Sequence, residues 1–181
     1  MQTLPTSNIS GLKLLQPNIY HDERGYFFES YNYETFKSLG ISDVFVQDNQ
    51  SFSKKNVIRG LHFQAPPFAQ AKLVRVIQGA VLDVAVDLRK ASPTYGQHFS
   101  VTLSAENQLQ FYIPVGFAHG FATLEEDTIF AYKCSHFYHK DSEKNLLFND
   151  IDLNINWNIE NPIITDKDMH AIRFQDFISP F

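Results

Sequence analysis

Among the 181 residues, the side chains best suited to moving protons are His62, Tyr132, Lys72 and His119. His62 lies in VIRGLHFQ, where a period of two puts Ile58, Gly60, His62 and Gln64 on one face of a strand. A strand histidine is more often a structural hydrogen-bonder than a catalyst, but glycine inside a strand marks a bulge or a close approach, and Gly60 precedes this one. Tyr132, in TIFAYKCSHFY, shares a face with Thr128, Phe130, Cys134 and His136. It reads either as a core aromatic with a satisfied hydroxyl or as a phenol exchanging a proton in a closed pocket. Lys72 opens KLVRVIQG on the face of Val74 and Val76. An inward ammonium is costly unless it is paired, snorkels to the rim, or sits where negative charge develops. Asp83 is the expected partner for that charge, and burial of Asp83 or Asp87 would point to function. His119, between Ala118 and Gly120 in VGFAHGF, is expected on a loop before a strand, where binding groups concentrate. Arg24 and Arg59 are surface ion-pairers by default and diphosphate forks otherwise.

These groups need elements to hold them, and the sequence supplies short strands. Expected strands cover 26–30, 44–50, 57–64, 72–78, 80–88, 98–103, 108–113, 121–124 and 128–138, separated by turn signals such as Ser53-Lys54-Lys55-Asn56 and Ala65-Pro66-Pro67. VLDVAVDL alternates most clearly, with Leu82, Val84, Val86 and Leu88 opposite Asp83, Ala85 and Asp87. Helix signals are confined to 33–39, closed by Gly40, and a short turn near 166–170 capped by Thr165 or Asp166. Aromatic residues make up 14% of the chain, which favours pleated, half-buried surfaces. The expected class is all-β, a sandwich, jelly roll or barrel whose cavity gathers residues distant in sequence.

Composition narrows the function classes. No linker or repeat divides the chain, so residues 1–181 are expected to form one domain. With 15 Lys and Arg against 20 Asp and Glu, the net charge is −5, and no basic tract exceeds Lys54-Lys55, which argues against nucleic acid as a partner. No apolar run is long enough to span a bilayer and the first residues lack a secretory signal. With the single cysteine, Cys134, these features predict a cytoplasmic protein that does not use a membrane. Seven histidines are present without H-x-H, H-E-x-x-H or C-x-x-C spacing, which disfavours a metal site. Convergence of His62, His98 and His119 remains the route to one. No P-loop, G-x-S-x-G or G-x-G-x-x-G occurs.

The segments HDERGYFFES, FVQDNQSFSKKNVIRGLHFQ, AKLVRVIQGAVLDVAVDLRKASPTYGQ, LSAENQLQFYIPVGFAHGFATL, FAYKCSHFY and FNDIDLNINW occur in that order. Together they resemble the dTDP-4-dehydrorhamnose 3,5-epimerases from about residue 8 to 170. The resemblance implies a cupin-type jelly roll, or double-stranded β-helix, with a few short helices. It also implies a homodimer and an enzyme that uses no metal, nicotinamide or other cofactor. The implied substrate is a dTDP-4-keto-6-deoxy-hexose inverted at C3 and C5. Carried over by residue, the proton acceptor is His62 with Asp168 as its orienting carboxylate, the proton donor is Tyr132, and Lys72 lies near the keto oxygen. Substrate contacts fall on Arg24, Glu29, Gln47, Asp48, Asn49, Arg59, His119, Glu143 and Lys167, with Tyr138 stacking on the base. Departures from the family pattern are Lys144-Asn145 after Glu143, Phe148-Asn149-Asp150-Ile151 in place of W-N-D-P, and Thr165 in place of the serine of S-x-K-D.

The chemistry accounts for these residue types. A hydrogen beside a ketone becomes removable when the enolate oxygen is stabilised, and a neutral imidazole suits its removal at cytoplasmic pH. Inversion then needs a donor on the opposite face of the sugar. The same pair would also serve an epimerase acting at one carbon only, and a metal-dependent or purely binding cupin would share the scaffold.

Overall fold

The computed structural model describes residues 1–181. In chain order the elements are β1 (Gln2–Leu4), β2 (Lys13–Gln16), β3 (Tyr20–Asp22), β4 (Gly25–Phe27), α1 (Tyr33–Ser38), β5 (Gln47–Ser53), β6 (Ile58–Gln64), β7 (Lys72–Gln78), β8 (Ala80–Asp87), β9 (His98–Ser104), β10 (Gln110–Ile113), β11 (Phe117–Thr123), β12 (Thr128–Cys134), β13 (Glu143–Asn145) and α2 (Asp166–Met169). Six strands form one antiparallel sheet in the order β1-β2-β10-β7-β12-β5, and five form another in the order β13-β6-β11-β8-β9. The two face each other as the sequence predicts for a β-roll, and β3 and β4 make a separate hairpin.

Strand alternation decides what lies between the sheets. Val74, Val76, Phe111, Ile113 and Phe130 from the six-stranded sheet meet Val81, Ala85, Leu103, Phe117 and Phe121 from the other, all buried. The alternate side chains of β8, Leu82, Val84 and Val86, face outward under Leu153, Trp157 and the aromatic residues of the C-terminal segment. The other sheet's outer face is covered at one end by α1, whose Phe36 packs with Leu15, Leu73 and Tyr112. Asn32 caps that helix by accepting from the Glu34 and Thr35 N–H groups.

Several boundaries differ from the sequence expectation. The strand expected at 121–124 begins at Phe117, so His119 lies within β11 rather than on a loop. The strand expected at 44–50 runs from Gln47 to Ser53, which adds Ser51 to the strand and takes Ser53 out of the expected turn. β12 stops at Cys134, so His136 leaves the row that holds Tyr132. The N-terminal strands β1 and β2 were not visible as periodic segments; they pair with each other and with β10 of their own chain.

The period-two reading of VIRGLHFQ also fails, for an identifiable reason. His119 pairs with His62 and Phe121 with Arg59, so Gly60 and Leu61 of β6 together oppose Gly120. This bulge turns Arg59 and His62 to the same inner face, while Ile58, Leu61 and Phe63 join the outer core. Gly60 has φ +151°, and a Cβ there would stand 2.5 Å from the Gly120 Cα. No larger residue fits that contact.

Candidate active site

The inner face is apolar at one end and polar at the other. Along β7 the sequence runs from Val76 through Val74 to Lys72, and their partners on β12 are Phe130, Tyr132 and Cys134. β5 adds a fully polar inner row of Gln47, Asn49, Ser51 and Ser53. From the other sheet come Arg59, His62 and His119. Two adjoining cavities occupy the polar end. One of about 330 Å³ is lined by Ser51, Arg59, His62, Lys72, His119, Phe121, Tyr132, Thr165, Lys167 and Asp168. The other, of about 120 Å³, shares His62, Lys72 and Tyr132 and adds Gln47, Asn49, Cys134, Tyr138 and Glu143. A larger cleft of about 380 Å³ lies on the outer face of the six-stranded sheet and contains no histidine.

His62 Nε2 lies 2.7 Å from Asp168 Oδ1. An ionised carboxylate only accepts, so the ring N–H belongs on Nε2 and Nδ1 is left as the basic atom. Asp168 is 2% exposed. Burial opposes its ionisation, but hydrogen bonds from His62, Thr165 and the Gly60 N–H outweigh that and hold its carboxyl below the usual range. Thr165 caps α2 by accepting from the Asp168 N–H. The change from serine to threonine therefore keeps the hydroxyl function. Asn145, another departure, donates to the Lys167 carbonyl at 3.0 Å and so ties α2 to β13.

Lys72 Nζ donates to the His62 carbonyl at 3.4 Å and lies 6.0 Å from the centre of the Tyr132 ring. Burial lowers its pKa, against the opposing influence of Cys134, Asp83 and Glu143. The expected direct pairing of Lys72 with Asp83 is not formed. Asp83, fully buried, instead accepts from His119 Nε2 at 2.9 Å. The reason is register: Asp83 pairs with Phe121 on β11, which brings its carboxylate beside His119. Burial lowers the His119 pKa, with Asp83 opposing and Lys72 and His62 adding to the depression. Tyr132 is pushed up by burial, with Cys134 and Glu143 adding and Arg59 opposing, so its phenol holds its proton.

At the mouth, Tyr138 donates to Glu143 at 3.1 Å and Lys167 pairs with the same carboxylate. Burial raises the Glu143 carboxyl, but Lys167 and Tyr138 overcome it and leave the pKa low. Gln47 accepts from the Tyr138 N–H at 2.9 Å. Arg59 donates to Ser53 Oγ at 3.1 Å, which holds the guanidinium along the cavity wall.

Three expected contacts lie elsewhere. Asp48 alternates with Gln47 and Asn49, so it faces outward and pairs with Lys133. Arg24 is exposed at the hairpin turn, bound to Asp22. Glu29 accepts from Asn32 at the start of α1. His98 projects from the opposite face of its sheet toward the Leu153 backbone, so it does not converge with His62 and His119. No group of three or more His, Cys, Asp or Glu side chains able to hold a metal ion occurs. Asp87 is buried without serving the cavity: Arg89, Ser92 and Thr94 all bind it in the β8–β9 loop. Ser51 was not singled out from sequence, and Thr165 and Asn145 were named there only as a helix cap and as departures from the family pattern. The polar alternation of QDNQSFS was the available signal for Ser51, since a strand against a core rarely turns polar residues inward.

The model of the dTDP-4-dehydrorhamnose 3,5-epimerase family matches residues 6–176. The chain belongs to that family. The Salmonella typhimurium epimerase is 53% identical over 165 residues, covering 90% of each chain, and the Shigella flexneri epimerase 47% identical over 171 residues, covering 94% of each. The crystal structure of the Legionella pneumophila dTDP-6-deoxy-D-glucose-3,5-epimerase with dTDP-4-keto-L-rhamnose aligns with a TM-score of 0.93 at 45% identity, covering 98% of this chain and 94% of that one. As a 3,5-epimerase family member the chain is an isomerase with a cupin-type roll, and no helix is long and apolar enough to cross a membrane.

Proposed function

We propose that the cavity inverts C3 and C5 of a dTDP-4-keto-6-deoxy-hexose, giving dTDP-4-dehydro-L-rhamnose. The observation that carries this reading is the 2.7 Å contact between His62 and Asp168 in a cavity shared with Lys72 and Tyr132. His62 Nδ1 takes the hydrogen beside the ketone, and Asp168 stabilises the imidazolium that forms. The electron pair moves onto the keto oxygen, where the Lys72 ammonium meets the developing charge. One well-placed donor of this kind contributes about 3–4 kcal/mol. Tyr132 returns a proton from the other face, since return from His62 would restore the starting configuration. Its raised pKa keeps it a donor. Arg59, His119, Lys167, Glu143, Gln47 and Asn49 contact the substrate, with Tyr138 stacking on the base. The protein acts in the cytoplasm.

The chain works as a homodimer. Tyr20, Tyr26 and Phe27 are exposed on the β3–β4 hairpin, and β1 leaves an open sheet edge. Arg24 and Glu29 lie outside their own chain's cavity, so their contact with substrate requires the hairpin of a second copy. Sedimentation as a monomer at micromolar concentration would contradict the dimer.

The decisive experiment follows solvent deuterium into the sugar by NMR. Deuterium is expected at both C3 and C5, and its appearance at one carbon would limit the reaction to a single centre. His62→Ala should abolish exchange. Tyr132→Phe should retain proton removal while losing inversion. Full turnover by His62→Ala would refute the base assignment.

A further inference from the structure

The polar inner row of β5 contains one hydroxyl that differs from its neighbours. Ser53 Oγ accepts from Arg59. Asn49 and Gln47 are bonded to each other and to Cys134 and Tyr138. The Thr123 and Thr128 hydroxyls donate to backbone carbonyls. Ser51 Oγ is buried and has no partner.

The surroundings explain why none is present and what would supply one. Ser51 lies across from Phe130, which stacks on Phe121 at 4.1 Å between ring centres, so the floor beside it offers no polar atom. Arg59 directs Nε to Ser53 and Nη2 to the Phe52 carbonyl and makes no bond to Ser51. The remaining side is the cavity that holds His62, Lys72 and Tyr132. A buried hydroxyl to which the protein itself offers no partner is placed to pair with a group that enters from the cavity.

We infer that Ser51 is a further substrate-binding residue, whose hydroxyl bonds an oxygen of the keto-sugar ring in the part of the cavity nearest the reacting carbons. This rests on the proposed reading of the cavity and adds a specificity determinant to it. The partner is a sugar hydroxyl or carbonyl oxygen rather than the diphosphate, because Ser51 shares its wall with the aromatic floor and the proton-transfer groups. A sugar lacking that oxygen would bury the Ser51 hydroxyl without a partner, so the site would reject it.

The test compares Ser51→Thr with Ser51→Val, which have the same shape and differ only in the hydroxyl. The threonine variant should exceed the valine variant by about tenfold in kcat/KM for the keto-sugar. Affinity for dTDP alone should be equal in the two. Ser51→Ala should melt within a degree or two of the parent or above it, because no protein group is bonded to the hydroxyl. Equal kcat/KM for threonine and valine would overturn the inference, as would a dTDP affinity that falls with the hydroxyl, or a marked loss of thermal stability in Ser51→Ala. Loss of turnover in His62→Ala alongside unaltered turnover in the Ser51 variants would sink this inference alone. Retained turnover in His62→Ala would sink the reading beneath it.

Discussion

A base that must collect a proton and release it again needs a counter-charge that does not itself titrate in the working range. Asp168 meets this condition, since its bonds from His62, Thr165 and Gly60 outweigh the effect of burial and keep it ionised at neutral pH. Asp168→Asn would leave the ring in place but allow either tautomer and remove the charge that stabilises the imidazolium. A fall in kcat of roughly 10²–10⁴-fold with little change in KM is expected from steady-state kinetics. At this scale the residue types in the sequence supported several roles equally well. Nothing in the spacing of His62 and Asp168, 106 positions apart, joins them; resemblance to a family did. Where residue-level reasoning stood alone, as in pairing Asp83 with Lys72, it missed the register that gives Asp83 to His119.

At the scale of elements, the bulge in β6 is what makes the site. Strict alternation would bury His62 on the side of Ile58, whereas the extra residue opposite Gly120 re-aims it with Arg59 into the cavity. Gly60→Ala must accommodate both φ +151° and a Cβ 2.5 Å from backbone, so a loss of about 3 kcal/mol or more is expected in denaturant melts. Activity should fall further than stability, because Arg59 and His62 flank the disturbed residue. Gly60 was legible as a bulge signal, but its effect on alternation was not, since the deciding contact comes from Gly120 on another strand. The long regular strands β7, β8 and β12 were readable because apolar residues repeat along them. β1, β2 and β13 have three or four residues each and carry too little periodicity to read.

Over the whole molecule, a buried carboxylate away from the cavity, Asp87, ties the loop between β8 and β9 to the sheet. Burial works against ionisation of Asp87, but Arg89, Ser92 and Thr94 bring its pKa down from 3.8 to about 2. The unfolded chain therefore binds this proton more readily than the folded one. The stabilisation is complete above about pH 4, amounts to about 2 kcal/mol there, and is lost as the pH falls towards 2. Thermal melts between pH 7 and 3 should show Asp87→Asn already destabilised at pH 7, with the gap to the parent closing in acid. The same loop holds the chain end, where Ser179 donates to the Leu88 carbonyl and Lys90 to that of Phe181. The all-β architecture was legible from the strand count, whereas the covering of the outer sheet by residues 146–181 was not, because that segment is irregular and its apolar residues follow no period.

The path of that segment determines when a protein in the making becomes competent. His62, Lys72 and Tyr132 all lie in the first three-quarters of the chain, yet the carboxylate that orients the imidazole arrives only after the polypeptide has travelled behind the sheet through Leu153 and Trp157 and returned to β6. A ribosome that has released residues 1–150 has made the imidazole, ammonium and phenol without the aspartate. A protease that cuts the irregular stretch between Leu153 and Thr165 would leave those three groups on a separate polypeptide from their counter-charge. Commitment to the working form thus waits until the polypeptide as far as Asp168 has been made and has returned to β6.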